Sequence, residues 1–316
     1  MTGHHRKKGA QRGTKAPETG KVVRQTAIPL GPELDKRCLA YRGRGGVKIA
    51  RVFPRRTSFS PNDDDTYFNM PGLFTPDYDE VHVSCVFTWD KQRAFELVEA
   101  WKHKAKVINV GGPAFNDPGN GFTPGFYLRE GVTITSRGCP NSCSWCLVSN
   151  REGKLRELDV KPGNIIQDNN ILACSAGHLD KVFTMLAGQR QIEFKGGLEA
   201  ARITPEIVDR LRGLSIKTLW VACDYPAAIK PLQKAVDTLN RAGFTQNHIY
   251  CYVLIGDDRQ ENEARLRRVF EIGAMPFAQL YQPPDEYIRY PEAWRHFARE
   301  WSRPAIYKSI MGVRSA

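Results

Sequence analysis

The sequence predicts a parallel α/β fold, and three observations lead to this prediction. From about residue 126 onward, β-rich runs alternate with amphipathic helical segments six times, a pattern typical of a parallel sheet. A shorter β-α-β unit precedes them within residues 46–125. Residues 1–45 are rich in Gly, Lys, Arg and Thr and include RGRGG, which predicts a disordered basic arm.

In the first unit, strands are predicted at 47–55, 80–89 and 107–113. The second of these, EVHVSCVFTW, is a continuous β-rich run, as expected of a buried parallel strand. The segment KQRAFELVEAWKHK follows it and places Phe95, Val98 and Trp101 at helical spacing. A strand, a helix and a strand in this order indicate a small, Rossmann-like parallel sheet.

In the second unit, residues 126–316, strands are predicted at 132–136, 164–173, 191–197, 218–224, 249–256 and 275–281. Helices are predicted at 178–189, 204–214, 227–243, 260–273 and 291–301. Thr204 before Pro205 is typical of a helix N-cap followed by proline in the first turn. The third helix places four apolar side chains on one face: Ile229, Leu232, Val236 and Leu239. Such repeats build either an open sheet or a partial barrel, with ligands at the carboxyl ends of the strands.

The net charge of +12 is concentrated near the N-terminus. Residues 1–60 contain 15 Lys or Arg and three acidic residues, so they carry the whole formal excess. Such an arm can bind nucleic-acid phosphates, with Arg55 and Arg56 as candidate contacts, or it can be a solvated tail. No apolar run approaches the roughly 18 residues that span a bilayer, so a cytoplasmic protein is expected.

Three of the eight cysteines are clustered. Cys139, Cys143 and Cys146 follow the first strand of the second unit, whereas Cys38, Cys85, Cys174, Cys223 and Cys251 are scattered and are interpreted as small buried hydrophobic residues. Three local thiolates could hold a cubane cluster and leave one iron open to another ligand. A structural zinc site would need a fourth ligand, which only folding could bring from His103 or His178. A redox pair would leave Cys139 unexplained.

The spacing CxxxCxxC, with Trp145 before the last cysteine, resembles the signature of the radical S-adenosylmethionine (SAM) superfamily. The resemblance covers residues 131 to about 285. It implies a partial (βα)6 TIM-like barrel, and it implies that Cys139, Cys143 and Cys146 hold a [4Fe–4S] cluster. Residues 47–113 resemble the degenerate Rossmann-like segment that precedes many such barrels. No DxHxxG motif for cobalamin is present.

The resemblance also implies a set of SAM-binding residues, of which Trp145 in the cysteine motif is one. Gly196, Gly197 and Glu199 in GGLE match the motif that holds the SAM amino group. Asp224 is a candidate for the ribose hydroxyls, or alternatively a helix N-cap. Ile255 and Gly256 are candidates for contacts with adenine, or alternatively a plain turn. Three polar residues of the second strand either face the substrate or bond to a neighbouring loop: Asp168, Asn169 and Asn170.

The expected function is therefore that of a radical SAM enzyme. The resemblance implies reductive cleavage of SAM to a 5′-deoxyadenosyl radical, which takes hydrogen from a substrate, with electrons from a donor such as flavodoxin or ferredoxin. The substrate is either a nucleic-acid base or nucleotide, which the basic arm favours, or a small metabolite or peptide. A non-catalytic, zinc-stabilised nucleic-acid-binding protein is the alternative from another class.

Overall fold

The computed structural model describes residues 23–24, 46–117, 119, 121–283 and 287–312. Within these residues, the strands form two larger parallel sheets and one short antiparallel pair. The predicted parallel α/β fold is confirmed. The prediction of a disordered arm in residues 1–45 lies outside the described residues, apart from Val23–Arg24. These two residues form a strand beside Ile108 and Asn109.

The first sheet has the order β1-β5-β4-β2-β3, and all of its neighbouring strands are parallel. Its strands are β1 (Val23–Arg24), β2 (Ile49–Val52), β3 (Thr66–Tyr67), β4 (Tyr78–Ser84) and β5 (Ala105–Gly111). Helix α1 (Lys91–Trp101) connects β4 to β5 and packs on this sheet.

The predicted face of α1 is confirmed at Val98 and Trp101 and is wrong at Phe95. It carries Ala94, Leu97, Val98 and Trp101, which recur at i, i+3, i+4 and i+7. Trp101 is fully buried, and its indole N–H donates to the carbonyl of Asn69 at 3.1 Å. Phe95 lies one residue beyond Ala94 and is therefore rotated off this face. Its ring is 40% exposed and packs on Phe115.

The second sheet has the order β13-β12-β11-β10-β9-β6, so its parallel strands lie side by side in chain order. Its strands are β6 (Val132–Thr133), β9 (Ile165–Ile166), β10 (Ile192–Phe194), β11 (Ile216–Ala222), β12 (Ile249–Ile255) and β13 (Met275–Leu280). Between β6 and β9, β7 (Ser136–Arg137) and β8 (Arg156–Glu157) form an antiparallel pair.

The remaining helices connect or follow these strands. They are α2 (Val148–Arg151), α3 (Ala176–Ala187), α4 (Pro205–Arg212), α5 (Ile229–Arg241), α6 (Arg259–Ile272), α7 (Glu292–Glu300) and α8 (Pro304–Ile310). The predicted cap at Thr204 is confirmed, because its side chain accepts a hydrogen bond from the N–H of Ile207. Leu232, Val236 and Leu239 of α5 are buried as predicted, with Ile229 at the margin of the core. None of the described helices is long and apolar enough to cross a bilayer.

Several predicted strands are shorter than expected, and two of them have a clear cause. The run 164–173 forms a strand only at Ile165–Ile166, because the next polar side chains bond outside the sheet and Ile171–Ala173 forms a 3-10 turn. The run 132–136 is split into β6 and β7. The split occurs at Thr135, whose N–H donates to the Asp168 carboxylate at 2.8 Å.

Candidate functional site

The three clustered cysteines lie on residues 138–147, called the cysteine loop, between β7 and α2. The loop begins at Gly138, where φ is +81° and an added Cβ would lie 2.3 Å from the carbonyl oxygen of Lys154. Glycine is therefore required there. The N–H of Cys146 donates to the carbonyl of Cys143 at 3.0 Å. Cys139, Cys143 and Cys146 are all half-buried and none forms a disulfide.

The three sulfurs are close enough to influence one another electrostatically. Burial and the charges of Cys146 and Cys139 raise the pKa of the Cys143 thiol. Burial and the charge of Cys139 likewise raise the pKa of the Cys146 thiol, although the N–H of Val148 opposes the change. Three thiolates so arranged repel one another, and a positive metal centre would remove this repulsion.

The donor set of the cysteine loop consists of three free thiols. A [4Fe–4S] cluster takes one thiolate on each iron, so its ligands surround a cube and do not converge on one point. Three neighbouring free thiols are the kind of donor that such a cluster takes. Within the described part of the chain, no three His, Cys, Asp or Glu side chains are placed to hold one metal ion, and neither His103 nor His178 joins the cysteines in such a group.

Glu199 lies beside the cysteine loop. Its carboxylate accepts hydrogen bonds from the amide of Asn170 at 2.7 Å and from the Nε of Arg202 at 2.8 Å. Burial opposes ionisation, but these bonds and one from Asn141 outweigh it and lower the pKa of Glu199. The charge of Glu199 also contributes to the raised pKa of Cys143. Glu199 is therefore an anion positioned near the thiols.

Gly196 and Gly197, which precede Glu199, are required for different structural reasons. An added Cβ at Gly196 would lie 2.1 Å from the carbonyl oxygen of Asp168, so this position admits no side chain. At Gly197 there is open space, but φ is +97°, which disfavours other residues. The first glycine brings two strand ends together, and the second turns the chain toward Glu199.

Asp224 follows β11 and is held by two donors. The N–H of Leu254 donates to it at 3.0 Å, and the indole of Trp145 donates to the same carboxylate. Burial nevertheless raises the pKa of Asp224. The alternative role of Asp224 as a helix N-cap is wrong. Tyr225 holds the N-cap position of the next 3-10 turn, and Ala228 holds that of α5. Neither of these two described elements has a side-chain cap.

Four of the predicted SAM-binding residues line one cavity of about 290 Å³, called the Asp224 cavity. They are Trp145, Asp224, Ile255 and Gly256. At Gly256, φ is +139° and an added Cβ would lie 2.3 Å from the hydroxyl of Tyr290. The Tyr290 hydroxyl therefore occupies the space that a side chain would need, and this position requires glycine. The charges of Asp224 and Glu199 both act on Cys143, so the cavity and Glu199 border the same loop.

The polar residues after β9 hold the site together. The buried carboxylate of Asp168 accepts hydrogen bonds from Thr135 and Ser136. Of its two predicted roles, Asp168 therefore has the one of bonding to a neighbouring segment. The side-chain oxygen of Asn169 accepts a bond from the N–H of Gly138 at 3.0 Å. Asn170 donates to Glu199 and to the sulfur of Cys139, the latter at 3.4 Å.

The scattered cysteines that the structure describes are confirmed as buried, and Cys38 lies outside the described residues. Burial raises the pKa of Cys85 to about 12 and that of Cys174 to about 11. Burial also raises the pKa of the other two thiols, those of Cys223 and Cys251.

The basic and histidine candidates are engaged elsewhere or lie apart. Arg55 forms a bidentate pair with Asp90, with both bonds at 2.8 Å, so its charge is largely neutralised. Arg56 lies over the ring of Phe68. His178 is buried against Thr135, and His103 is exposed after α1.

Four contacts of the site were not predicted from the sequence. Asn141, Asn170 and Arg202 each donate to Glu199, and Trp145 donates to Asp224. Only the contact of Arg202 had a sequence signal, because Arg202 follows Glu199 by three residues. No protein-family model matches the chain, and a comparison with curated proteins finds no similar sequence.

Proposed function

We propose that this chain is a radical SAM enzyme in which the second sheet forms a partial barrel. One observation carries the proposal. Residues that lie far apart in the sequence, and that were each predicted to contact SAM or iron, border one another around the cysteine loop. The Asp224 cavity lies on one side of this loop, and Glu199 contacts it through Asn141 and Asn170.

In this proposal, Cys139, Cys143 and Cys146 hold three irons of a [4Fe–4S] cluster. When bound, the cluster supplies the electron that cleaves SAM, so that hydrogen can be taken from an unactivated carbon of the substrate. The chain order of the strands, with β6 and β13 at opposite edges, supports a partial (βα)6 barrel. A reduced flavodoxin or ferredoxin would be the electron donor.

The side chains around the loop then bind and orient SAM. Glu199, an anion with a lowered pKa, would accept hydrogen bonds from the ammonium group. Asp224 is fixed by Trp145 and by the N–H of Leu254 and would accept bonds from the ribose hydroxyls. Ile255 and Gly256 line the Asp224 cavity and would contact the adenine. None of these groups needs to act as a general acid or base.

The decisive experiment is anaerobic reconstitution with iron and sulfide, followed by incubation with SAM and dithionite. We expect about four irons per chain and formation of 5′-deoxyadenosine. Cys139→Ala, Cys143→Ala and Cys146→Ala should each lose both properties. Cys85→Ala is the matched control, because this buried cysteine lies in the first sheet, and it should retain them.

Two results would contradict the proposal. Stoichiometric zinc without iron would favour the non-catalytic nucleic-acid-binding alternative. Full iron content in any one of the three clustered-cysteine variants would mean that the ligand set is wrong.

A further inference from the structure

A second cavity, of about 450 Å³, lies between the two larger sheets and is called the inter-sheet cavity. From the first sheet it is lined by residues at the carboxyl ends of β2, β4 and β5, namely Phe53, Ser84 and Gly112. From the second sheet it is lined by Ile134 after β6 and Asn169 after β9. Ligands of parallel α/β folds bind at such strand ends. The volume falls in the range of about 300–1,000 Å³ that is typical of small-molecule sites.

Several aromatic side chains line the inter-sheet cavity. Phe59, Phe87 and Phe122 line it, and all three rings are partly exposed. Tyr127 lines it as well, with its ring stacked on His82. Partly exposed aromatic faces along one cavity form a surface on which a flat ring can stack.

The second-sheet side of the cavity supplies directional hydrogen-bonding groups. The side-chain amide of Gln167 has no hydrogen-bond partner within the described residues, and it offers a donor and an acceptor side by side. Arg137 pairs with Glu152 at 3.4 Å, and its buried Nε–H has no acceptor among the described residues. Flat rings and an amide edge together are the features by which proteins recognise unstacked nucleobases.

The charges favour a neutral ring over a phosphate. Glu152 balances Arg137 in the wall, and Asp90 balances Arg55 near the ring of Phe87. An incoming phosphate would have to break one of these pairs to gain a cation. A neutral nucleobase would leave both ion pairs intact.

The cavity also borders the cysteine loop. Asn169 is part of its wall, and the side chain of Asn169 accepts the hydrogen bond from Gly138, the residue before Cys139. A ligand in the inter-sheet cavity would therefore lie next to the loop, on a set of residues separate from those that line the Asp224 cavity. We infer that the inter-sheet cavity binds a nucleobase. This inference rests on the proposed function, in which the nucleobase is the part of the substrate that reacts.

The test is calorimetric titration of the anaerobically reconstituted, SAM-saturated protein with the four ribonucleosides and with short single-stranded oligonucleotides. We expect at least one nucleoside or oligonucleotide to bind. Phe122→Ala should weaken this binding about tenfold or more, since stacking on one aromatic ring has that effect. Phe122→Leu keeps apolar volume but removes the ring face, so it should weaken binding as well. Phe74→Ala, at an exposed ring outside the cavity, is the matched control and should bind normally.

The outcomes separate this inference from the proposed function. Asp224→Asn should weaken SAM binding and leave nucleobase binding unchanged, whereas the Phe122 variants should do the reverse. Tighter binding of an oligonucleotide than of its nucleosides would identify a polynucleotide as the source of the base, and equal binding would identify a free nucleoside. No binding of either, or binding unaffected by both Phe122 variants, would overturn the inference even if SAM is still cleaved. Failure to cleave SAM would overturn the proposed function alone.

Discussion

Gly196 is the position at which the structure makes its sharpest prediction about stability. The nearest atom to an added Cβ is the carbonyl oxygen of Asp168 at 2.1 Å, and the N of Asp168 and the carbonyl carbon of Gln167 both lie at 2.8 Å. Ordinary contacts begin at 3.4 Å. All three atoms belong to the backbone, so no side-chain rotation can relieve the clash.

Gly196→Ala must therefore move the chain after β9 away from β10. Overpacking costs about 1–3 kcal/mol. The N–H of Gly196 also donates to the carbonyl of Ile166 at 3.0 Å, and loss of that bond adds about 1 kcal/mol. We expect the free energy of unfolding to fall by about 3 kcal/mol. The same shift displaces Asn169 and Asn170, so the variant should also retain less iron.

The assay is urea denaturation followed by circular dichroism, with Gly213→Ala as the matched control. At Gly213 the nearest atom to an added Cβ is 3.6 Å away and φ is −75°, so alanine fits. This control should differ from the wild-type chain by no more than about 0.5 kcal/mol. If Gly196→Ala is as stable as Gly213→Ala, the close approach of the two strand ends is not a property of the folded protein.

Three further predictions concern Glu199 and the arm. Glu199→Gln should weaken SAM binding by about 1.5–3 kcal/mol in calorimetry, the scale of a charged hydrogen bond, whereas Glu206→Gln on exposed α4 should not. Because the folded-state pKa of Glu199 is lowered, its charge stabilises the fold above the unfolded pKa of about 4.3, and this contribution is lost as the pH falls through the folded value. The stability difference between the wild-type chain and Glu199→Gln should therefore be complete at pH 6 and shrink below about pH 4, and a constant difference would contradict this. Deletion of residues 1–20, which contain five Lys or Arg, should flatten the dependence of log affinity on log salt concentration for single-stranded RNA. The slope should change by about 0.7 for each phosphate contact that is lost. An unchanged slope would mean that the arm is a solvated tail.

The sequence was most informative where one physical pattern dominates. The strands β11 and β12 were predictable because continuous apolar runs are typical of buried parallel strands. The cap at Thr204 was predictable because capping depends on adjacent residues. The strand over 164–173 was overpredicted, since local β-propensity does not report that Asp168 and Asn169 bond outside the sheet.

The site was predictable as a set of residues and not as an arrangement. Spacing grouped Cys139, Cys143 and Cys146, and the family resemblance, applied at the ends of two strands, selected Glu199 and Asp224. The bonds of Asn170 to Glu199 and of Trp145 to Asp224 depend on the path of the cysteine loop across the strand ends. That path depends on packing between residues about 30 or more positions apart, which no local pattern encodes. The inter-sheet cavity depends on two units meeting and was likewise beyond prediction.

The strand lengths of the second sheet divide it into a strong half and a weak half. The ladder between β12 and β13 extends over six residue pairs, from Tyr250 with Met275 to Ile255 with Leu280, whereas β6 and β9 are paired only at Val132–Ile165 and Thr133–Ile166. Local opening needs less free energy where fewer backbone bonds must break. Amide hydrogen exchange should therefore be faster around β6 and β9 than in β11–β13. The cysteine loop is attached to this labile edge, so it should open at a lower free energy than the strands that precede Asp224 and Gly256.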